Sequence, residues 1–177
     1  MTAMTAIICI LLATALLHWL VLALIPRLKM WKAMKQVVSI AGVNTFYHWP
    51  PVDSHSRNVV KPAPELNYSV AVLELSEGPV EVVLADCSGS YCSVSFYSPQ
   101  SDNFHVVKCD GIQELCLHVC QRSHASKSVP AGVEQVTAPA SRVVVVVRGI
   151  EEKKGRQPAS KGFEIHAAGD AWIAQTR

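Results

Sequence analysis

Charged residues are scarce in this sequence and unevenly spread. Only 17% of its 177 residues are Asp, Glu, Lys or Arg, whereas 50% are hydrophobic, and no acidic residue occurs before Asp53. A soluble domain need not show such an apolar excess, but a membrane segment produces it directly, so we expect the excess to be localised. The length fits one ordinary domain with an appendage and leaves little room for two domains.

Motifs of common enzyme classes are also missing. The sequence has no G-x-S-x-G turn, no H-E-x-x-H zinc motif and no phosphate-binding glycine loop. When the four basic residues between positions 27 and 35 are set aside, 12 Lys and Arg remain against 14 Asp and Glu. This near-neutral remainder lacks the basic patch that binds nucleic acid, so we expect no nucleic-acid partner.

A long apolar run stands near the N-terminus. Residues 6–25 carry no formal charge, and as a helix they would span about 30 Å, the thickness of the hydrocarbon core of a bilayer. Pro26 is expected to end or kink this helix. A cleaved signal peptide is the alternative, and it would require a basic leader, a shorter apolar stretch and small residues at the cleavage site. The sequence shows none of these features clearly. We therefore predict a single-pass transmembrane anchor over residues 1–26.

The segment after the anchor is basic and amphipathic. Lys and Arg beside a transmembrane end favour the cytoplasmic side, which would place the following domain inside the cell. The segment either lies on the bilayer, with its lysines near anionic lipid, or packs its apolar side on the following domain. Its basic residues are Arg27, Lys29, Lys32 and Lys35, and its apolar residues at helical spacing include Met30, Met34, Val37 and Val38.

The composition then changes twice. Gly42 and Asn44 are helix stop signals, and the proline-rich stretch 48–64 is typical of a connector. We assign residues 27–64 to a juxtamembrane helix and linker, and residues 65–177 to a β-rich domain.

Strand patterns dominate this domain. Residues 67–75 and 81–84 alternate in polarity around Gly78-Pro79, which predicts a hairpin, and Tyr91–Tyr97 is typical of a half-buried strand. The five valines of Arg142–Ile150 indicate a central strand that is buried on both faces. Further strand candidates are Asn103–Lys108, 115–120 (with a helix over 112–119 as the alternative) and 163–173 (helix or strand). The predicted fold is mainly β, an antiparallel sheet or sandwich-like domain behind a transmembrane helix and a short juxtamembrane helix.

Cysteine and histidine residues cluster between positions 105 and 124. In a helix, Cys116, Cys120 and His124 would share one face, whereas in a strand Cys116, His118 and Cys120 would do so. With Cys109, these residues are candidate zinc ligands, although the paired C-x₂₋₄-C spacing of zinc sites is absent and buried thiols are the alternative. Separately, Cys87 and Cys92 flank a short turn. A hairpin there would allow a disulfide in an oxidising compartment.

Two runs of the sequence resemble the bacterial domain of unknown function 1254 family. They are LELSEGPVEVVL at 73–84 and YCSVSFYSPQSDNF at 91–104. The apolar helix that ends in Leu24-Ile25-Pro26-Arg27, followed by Asn44-Thr45-Phe46, resembles the short membrane-anchored members. The resemblance implies a bacterial inner-membrane protein with its domain on the periplasmic side, contrary to the basic flank. Longer members carry a second β domain downstream, for which this sequence shows no counterpart.

The sequence is compatible with two functions. The first is a noncatalytic binding or accessory β domain, tethered to the lipid bilayer, that binds an envelope protein partner or a ligand. The second is a metal-dependent or otherwise uncharacterised enzyme that uses the region from His105 to His124, with zinc as the candidate cofactor.

Overall fold

The computed structural model describes residues 3–50, 63, 66–87, 91–109, 112–124, 133–150 and 163–167. They form one helix, α1 (Ala3–Ala41), nine strands and a 3₁₀ turn (Arg122–His124). The strands are β1 (Tyr47–His48), β2 (Asn67–Glu74), β3 (Val80–Cys87), β4 (Tyr91–Tyr97), β5 (Asn103–Lys108), β6 (Ile112–Gln121), β7 (Glu134–Ala138), β8 (Arg142–Ile150) and β9 (Phe163–Ala167). The mainly β prediction is confirmed.

The α1 helix is continuous through Pro26. Of the two predicted effects of Pro26, an end or a kink, the end is not observed. Proline removes one backbone donor, and the packing of Met34 and Val37 against the domain supports the helix beyond this point. Gly42, at φ 88°, ends α1 in the left-handed conformation, and its N–H donates to the carbonyl of Val38 at 2.9 Å. The predicted stop signal at Gly42 is confirmed.

The strands form two sheets that face each other. Sheet A has the order β1-β2-β8-β4-β5 and sheet B the order β7-β6-β3-β9. All described pairs are antiparallel except β6–β7. The core between the sheets is apolar and nearly inaccessible, and its largest fully buried apolar side chains are Phe96, Leu73, Leu75, Leu84 and Leu117.

The valine strand is central, as predicted. β8 lies between β2 and β4. Val143, Val145 and Val147 point into the core, while Val144 lies on the opposite face, where α1 covers it. This double coverage explains why the run lacks polar alternation. The region 112–119, which could have been a helix, is strand.

The predicted hairpin around Gly78-Pro79 is not formed, and the strands that end at Cys87 and begin at Tyr91 do not form a hairpin either. β2 pairs with β1 and β8 in sheet A, whereas β3 pairs with β6 and β9 in sheet B, so the turn at Gly78 passes from one sheet to the other. β4 belongs to sheet A, and the connection 88–90 therefore also joins different sheets. Alternation shows which face of a strand is buried, but two strands that bury side chains in one core from opposite sheets carry the same alternation as a hairpin.

Side chains close both lateral edges of the sandwich. His105 of β5 contacts Glu134 of β7, with Nε2 and Oε1 2.9 Å apart. At the other edge, the rings of Phe46 and Phe163 lie 5.7 Å apart. Phe46 is buried in the core and Tyr47 pairs with β2, so the sheet begins upstream of residue 65, where the sequence placed the start of the β domain.

Helix α1 packs on the outer face of sheet A. Met34 and Val37 are buried against Val72 and Val144. Of the two alternatives for this amphipathic segment, packing on the domain is the one observed. Beyond the helix, Asn44 continues the attachment: its Oδ1 accepts the N–H of Glu74 at 2.8 Å, and its own N–H donates to the carbonyl of Val72 at 2.9 Å.

Candidate functional site

A row of polar side chains crosses the outer face of sheet B. Glu81 on β3 lies opposite His118 on β6 and His166 on β9, and His118 lies opposite Gln135 on β7. Side chains alternate between the faces of a strand. Since Val80, Val82, Leu117 and Val119 point into the core, these four polar side chains share the outer face.

The two central members of this row are buried. Glu81 is 1% exposed and His118 is 8% exposed, and Glu81 Oε1 lies 3.9 Å from His118 Nδ1. Neither that oxygen nor either ring nitrogen of His118 has a hydrogen-bond partner in the described part of the chain. An unsatisfied buried polar group costs about 1–3 kcal/mol. A small polar species that bridges these groups would remove that cost.

The Glu81–His118 separation distinguishes between bridging species. A zinc ion lies about 2.0–2.2 Å from its nitrogen and oxygen ligands, so two ligand atoms 3.9 Å apart would subtend an angle of about 125–155° at the metal. This angle is wider than that of a tetrahedral site. A water molecule at about 2.8 Å from both atoms would bridge them at an angle of about 88°, and the hydrogen bonds of a water tolerate more angular variation than the ligands of a tetrahedral zinc ion. The geometry therefore favours a bridging water over a zinc ion.

The neighbours of this pair are already engaged. His166 Nε2 contacts Glu164 Oε2 at 2.9 Å. Gln135 Nε2 donates to the Sγ of the fully buried Cys120 at 3.1 Å. Burial raises the pKa of the Cys116 thiol, and the negative charges of Glu81 and Glu114 raise it further. A raised pKa suppresses the thiolate, so Cys116 is not an activated nucleophile.

The structure separates the predicted zinc ligands. Cys116, His118 and Cys120 share the outer face of sheet B, as the strand alternative predicts, but Cys109 is buried in the core on the other side. His124 lies in the 3₁₀ turn, and its side chain is outside the described residues. Within the described residues, no three His, Cys, Asp or Glu side chains are placed to hold a metal ion. Zinc binding by the full predicted set stays a prediction.

The predicted disulfide also stays a prediction. Cys92 is buried in the core on the sheet A side. Cys87 ends β3 in sheet B, and its side chain is outside the described residues. A bridge between them would join the two sheets instead of closing a hairpin.

A second feature lies where α1 meets the domain. A groove of about 420 Å³ separates the helix from the β4–β5 turn, and Ser101 on that turn donates its hydroxyl to the carbonyl of Pro26 at 3.1 Å. The Lys35 ammonium lies 4.3 Å from the centre of the Trp31 ring. We call this feature the interface groove; it is lined by Arg27, Leu28, Trp31, Met34, Pro99 and Gln100.

The sequence did not predict that Glu81 and Gln135 belong to the polar row on sheet B. It also did not predict that the β4–β5 turn forms a wall of the interface groove. Glu81 interrupts a run of apolar residues, but its alternation places it on the face opposite the core, where a carboxylate is ordinarily solvated. Its burial depends on the register that sets it against His118. No local signal carries that information.

The comparisons with known proteins address the fold and the family. The profile of the family described as Protein of unknown function (DUF1254) matches residues 43–164, which is more than half of the chain. The chain belongs to the DUF1254 family. The match begins just beyond α1 and ends within β9, so the matched segment coincides with the sandwich. Among curated proteins, none matches the chain.

Two solved structures are similar to this DUF1254 chain. The VPA0106 protein from Vibrio parahaemolyticus is 13% identical, with a TM-score of 0.61 over 84% of this chain and 37% of that one. A protein from Burkholderia cenocepacia, described as putative and uncharacterised, is 12% identical, with a TM-score of 0.46 over 75% of this chain and 38% of that one. The likeness to the Vibrio protein shows the fold alone. The chain spans under two fifths of the length of either structure.

Proposed function

We propose that α1 anchors this DUF1254 domain in the bacterial inner membrane and that the sandwich is a noncatalytic module that binds an envelope protein partner on the periplasmic side. By length and composition, the N-terminal part of α1 could cross a membrane. The observation that carries the proposal is the packing of the same helix on sheet A, with Met34 and Val37 buried against it.

This packing joins the anchor rigidly to the domain. A flexible linker would let the domain tumble above the bilayer, whereas a continuous helix fixed by Asn44 and Ser101 holds one face of the domain at a set height. A fixed presentation suits the recognition of a partner that is itself in or near the membrane, because less orientational freedom is lost on binding.

Burial of the main polar pair supports binding over catalysis. A substrate must reach catalytic groups from solvent, yet Glu81 and His118 are 1% and 8% exposed. The half-buried thiol beside them, Cys116, has a raised pKa. The burial of Glu81 and His118 therefore supports a structural role in sheet B over a catalytic one.

Three measurements on the full chain in its bacterial host test the proposal. Intact mass spectrometry of the membrane fraction should give a chain that retains residues 1–25, resistant to alkaline carbonate extraction. A C-terminal alkaline phosphatase fusion should be active and a fluorescent-protein fusion dark, which places the domain in the periplasm. A mass that corresponds to a chain without the apolar run would show that a signal sequence had been cleaved, and this would refute the anchor proposal.

The partner is tested by crosslinking in cells. A photoreactive residue replaces Val106, a residue of β5 that is 51% exposed, and, as the matched control, Val143, which is fully buried. The proposal expects a discrete crosslinked species from position 106 and none from position 143. Recovery of only uncrosslinked monomer from several exposed positions would argue against a protein partner.

The unpaired Glu81–His118 groups favour a second candidate, an acid–base or metal-dependent centre on the outer face of sheet B. In such a centre Glu81 would orient the imidazole and Nε2 would exchange the proton. Metal analysis of the detergent-purified chain, compared with His118→Ala, tests the metal form. Stoichiometric metal in the wild type that is lost in the variant would support it, and metal-free wild type would end it.

A further inference from the structure

The interface groove lies at the depth of lipid headgroups if α1 spans the bilayer. The apolar run ends at Ile25, and Arg27, Leu28 and Trp31 follow it by two, three and six residues. At about 1.5 Å per residue, these positions stand about 3–9 Å beyond the hydrocarbon core. The headgroup layer on each side of a bilayer is about 5–8 Å thick. Arg27 and Leu28 therefore lie within that layer, and Trp31 lies just beyond its outer limit.

The chemistry of the groove changes along its length. Arg27 is exposed at the membrane end, and Leu28 and Trp31 offer apolar surface that is 55% and 53% exposed. Met34 closes the far end, because it is buried against sheet A. The Ser101–Pro26 hydrogen bond holds the β4–β5 turn as the opposite wall. A cation beside an apolar slot matches the phosphate and the glycerol region of a phospholipid.

Charge favours an anionic occupant. Three further cations, Lys29, Lys32 and Lys35, lie within eight residues of Arg27, and no acid precedes Asp53. The acid on the β4–β5 turn, Asp102, does not line the groove. The volume of about 420 Å³ is within the range of small-molecule sites, about 300–1,000 Å³.

We propose that the interface groove binds one anionic phospholipid from the bilayer, with its phosphate on Arg27 and its glycerol region against Leu28 and Trp31. This inference rests on the membrane anchorage proposed above. It goes beyond general attraction of a basic segment to a charged surface, because it assigns one lipid to one cavity. An indole at headgroup level and a guanidinium are the side chains that suit these contacts.

Native mass spectrometry of the detergent-purified full chain tests the site, with phosphatidylglycerol and phosphatidylcholine as probes. The matched variants are Arg27→Gln, which removes the charge of a residue that lines the groove, and Lys32→Gln, which removes an equal charge from a residue that does not. Wild type should retain one phosphatidylglycerol in preference to phosphatidylcholine. Arg27→Gln should reduce retention by at least about tenfold, as expected for a charge-assisted hydrogen bond. Lys32→Gln should reduce it by at most about fivefold.

Four outcomes would overturn the inference. They are equal losses in the two variants, equal retention of the two lipids, a full-length chain that holds no lipid, and a dimer whose formation excludes lipid. Trp31→Ala checks the apolar contact and should lower retention without a change of charge. The same spectra give the mass of the chain, so a chain that lacks residues 1–25 would refute the anchor, whereas a full-length chain without lipid would refute only the lipid site.

Discussion

Truncation of Met34 should loosen the domain from its helix. Met34 is 6% exposed and packs with Val37 against Val72 and Val144. Met34→Ala removes the Cγ, Sδ and Cε atoms, and the lost transfer of these atoms from water is worth about 2 kcal/mol. Buried Met→Ala substitutions cost about 2–5 kcal/mol in total. We expect the lower end of this range, because the interface groove borders Met34 and lets solvent or lipid fill the space.

Met4 provides a matched control on the same helix. It is 72% exposed, so Met4→Ala makes the same chemical change without removing a packing contact. Thermal unfolding of the full chain in detergent, followed by circular dichroism, should show a midpoint for Met34→Ala lower by about 4–8 °C. Met4→Ala should leave the midpoint unchanged. Equal midpoints for the two variants would refute the packing of α1 on sheet A.

Three further predictions concern charged and nucleophilic groups. Burial raises the pKa of Glu74, but hydrogen bonds from Arg142 and Ser76 and the charge of Arg142 outweigh it and hold the pKa below 4.5. The stability this carboxylate contributes is present above about pH 4.5 and lost as pH falls through the lowered pKa, so Glu74→Gln should flatten the acid limb of denaturant midpoints. The raised pKa of Cys116 should make its alkylation at about pH 8 slower than in the urea-unfolded chain. Glu81→Ala, which removes the carboxylate nearest to the buried His118, should cost about 1–3 kcal/mol, whereas Glu81→Leu with His118→Leu should be near neutral in urea unfolding.

Each of these has an outcome that contradicts it. An unchanged acid limb in Glu74→Gln would mean that the contact with Arg142 does not persist in solution. Alkylation of Cys116 as fast in the native as in the unfolded chain would place its thiol in solvent. Stability losses that add in the double variant of Glu81 and His118 would mean that the two groups do not share one buried environment.

Local sequence signals were sufficient for the strand β8 and for the existence of α1. Five consecutive valines need cover on both faces, and a central strand under a helix provides it. An uncharged run of twenty residues has one regular structure that satisfies its backbone without water. In both cases the residues of the segment alone decide which secondary structure it needs, whatever the rest of the chain packs against it.

Pairing could not be predicted in the same way. The alternation of β2 and β3 is as regular as a hairpin would show, yet the two strands lie in different sheets. Nothing in the alternation around Glu81 indicates its burial, and the register against β6 places it beside His118 in a buried position. The interface groove likewise needs the β4–β5 turn to reach Pro26 from 75 residues along the chain. These relations depend on long-range packing, which residue patterns do not encode locally.

The sequence by itself determined the apolar helix and the β class of the domain, because both rest on composition or periodicity within a segment. The likeness to the DUF1254 family rests on short sequence runs, which are also local. Only the tertiary structure decided that the helix continues through Pro26 onto sheet A, that β2 and β3 face each other across the core, and that a polar pair is buried on sheet B. These outcomes depend on which surfaces meet. Burial and pairing are properties of two segments together, so neither segment specifies them alone.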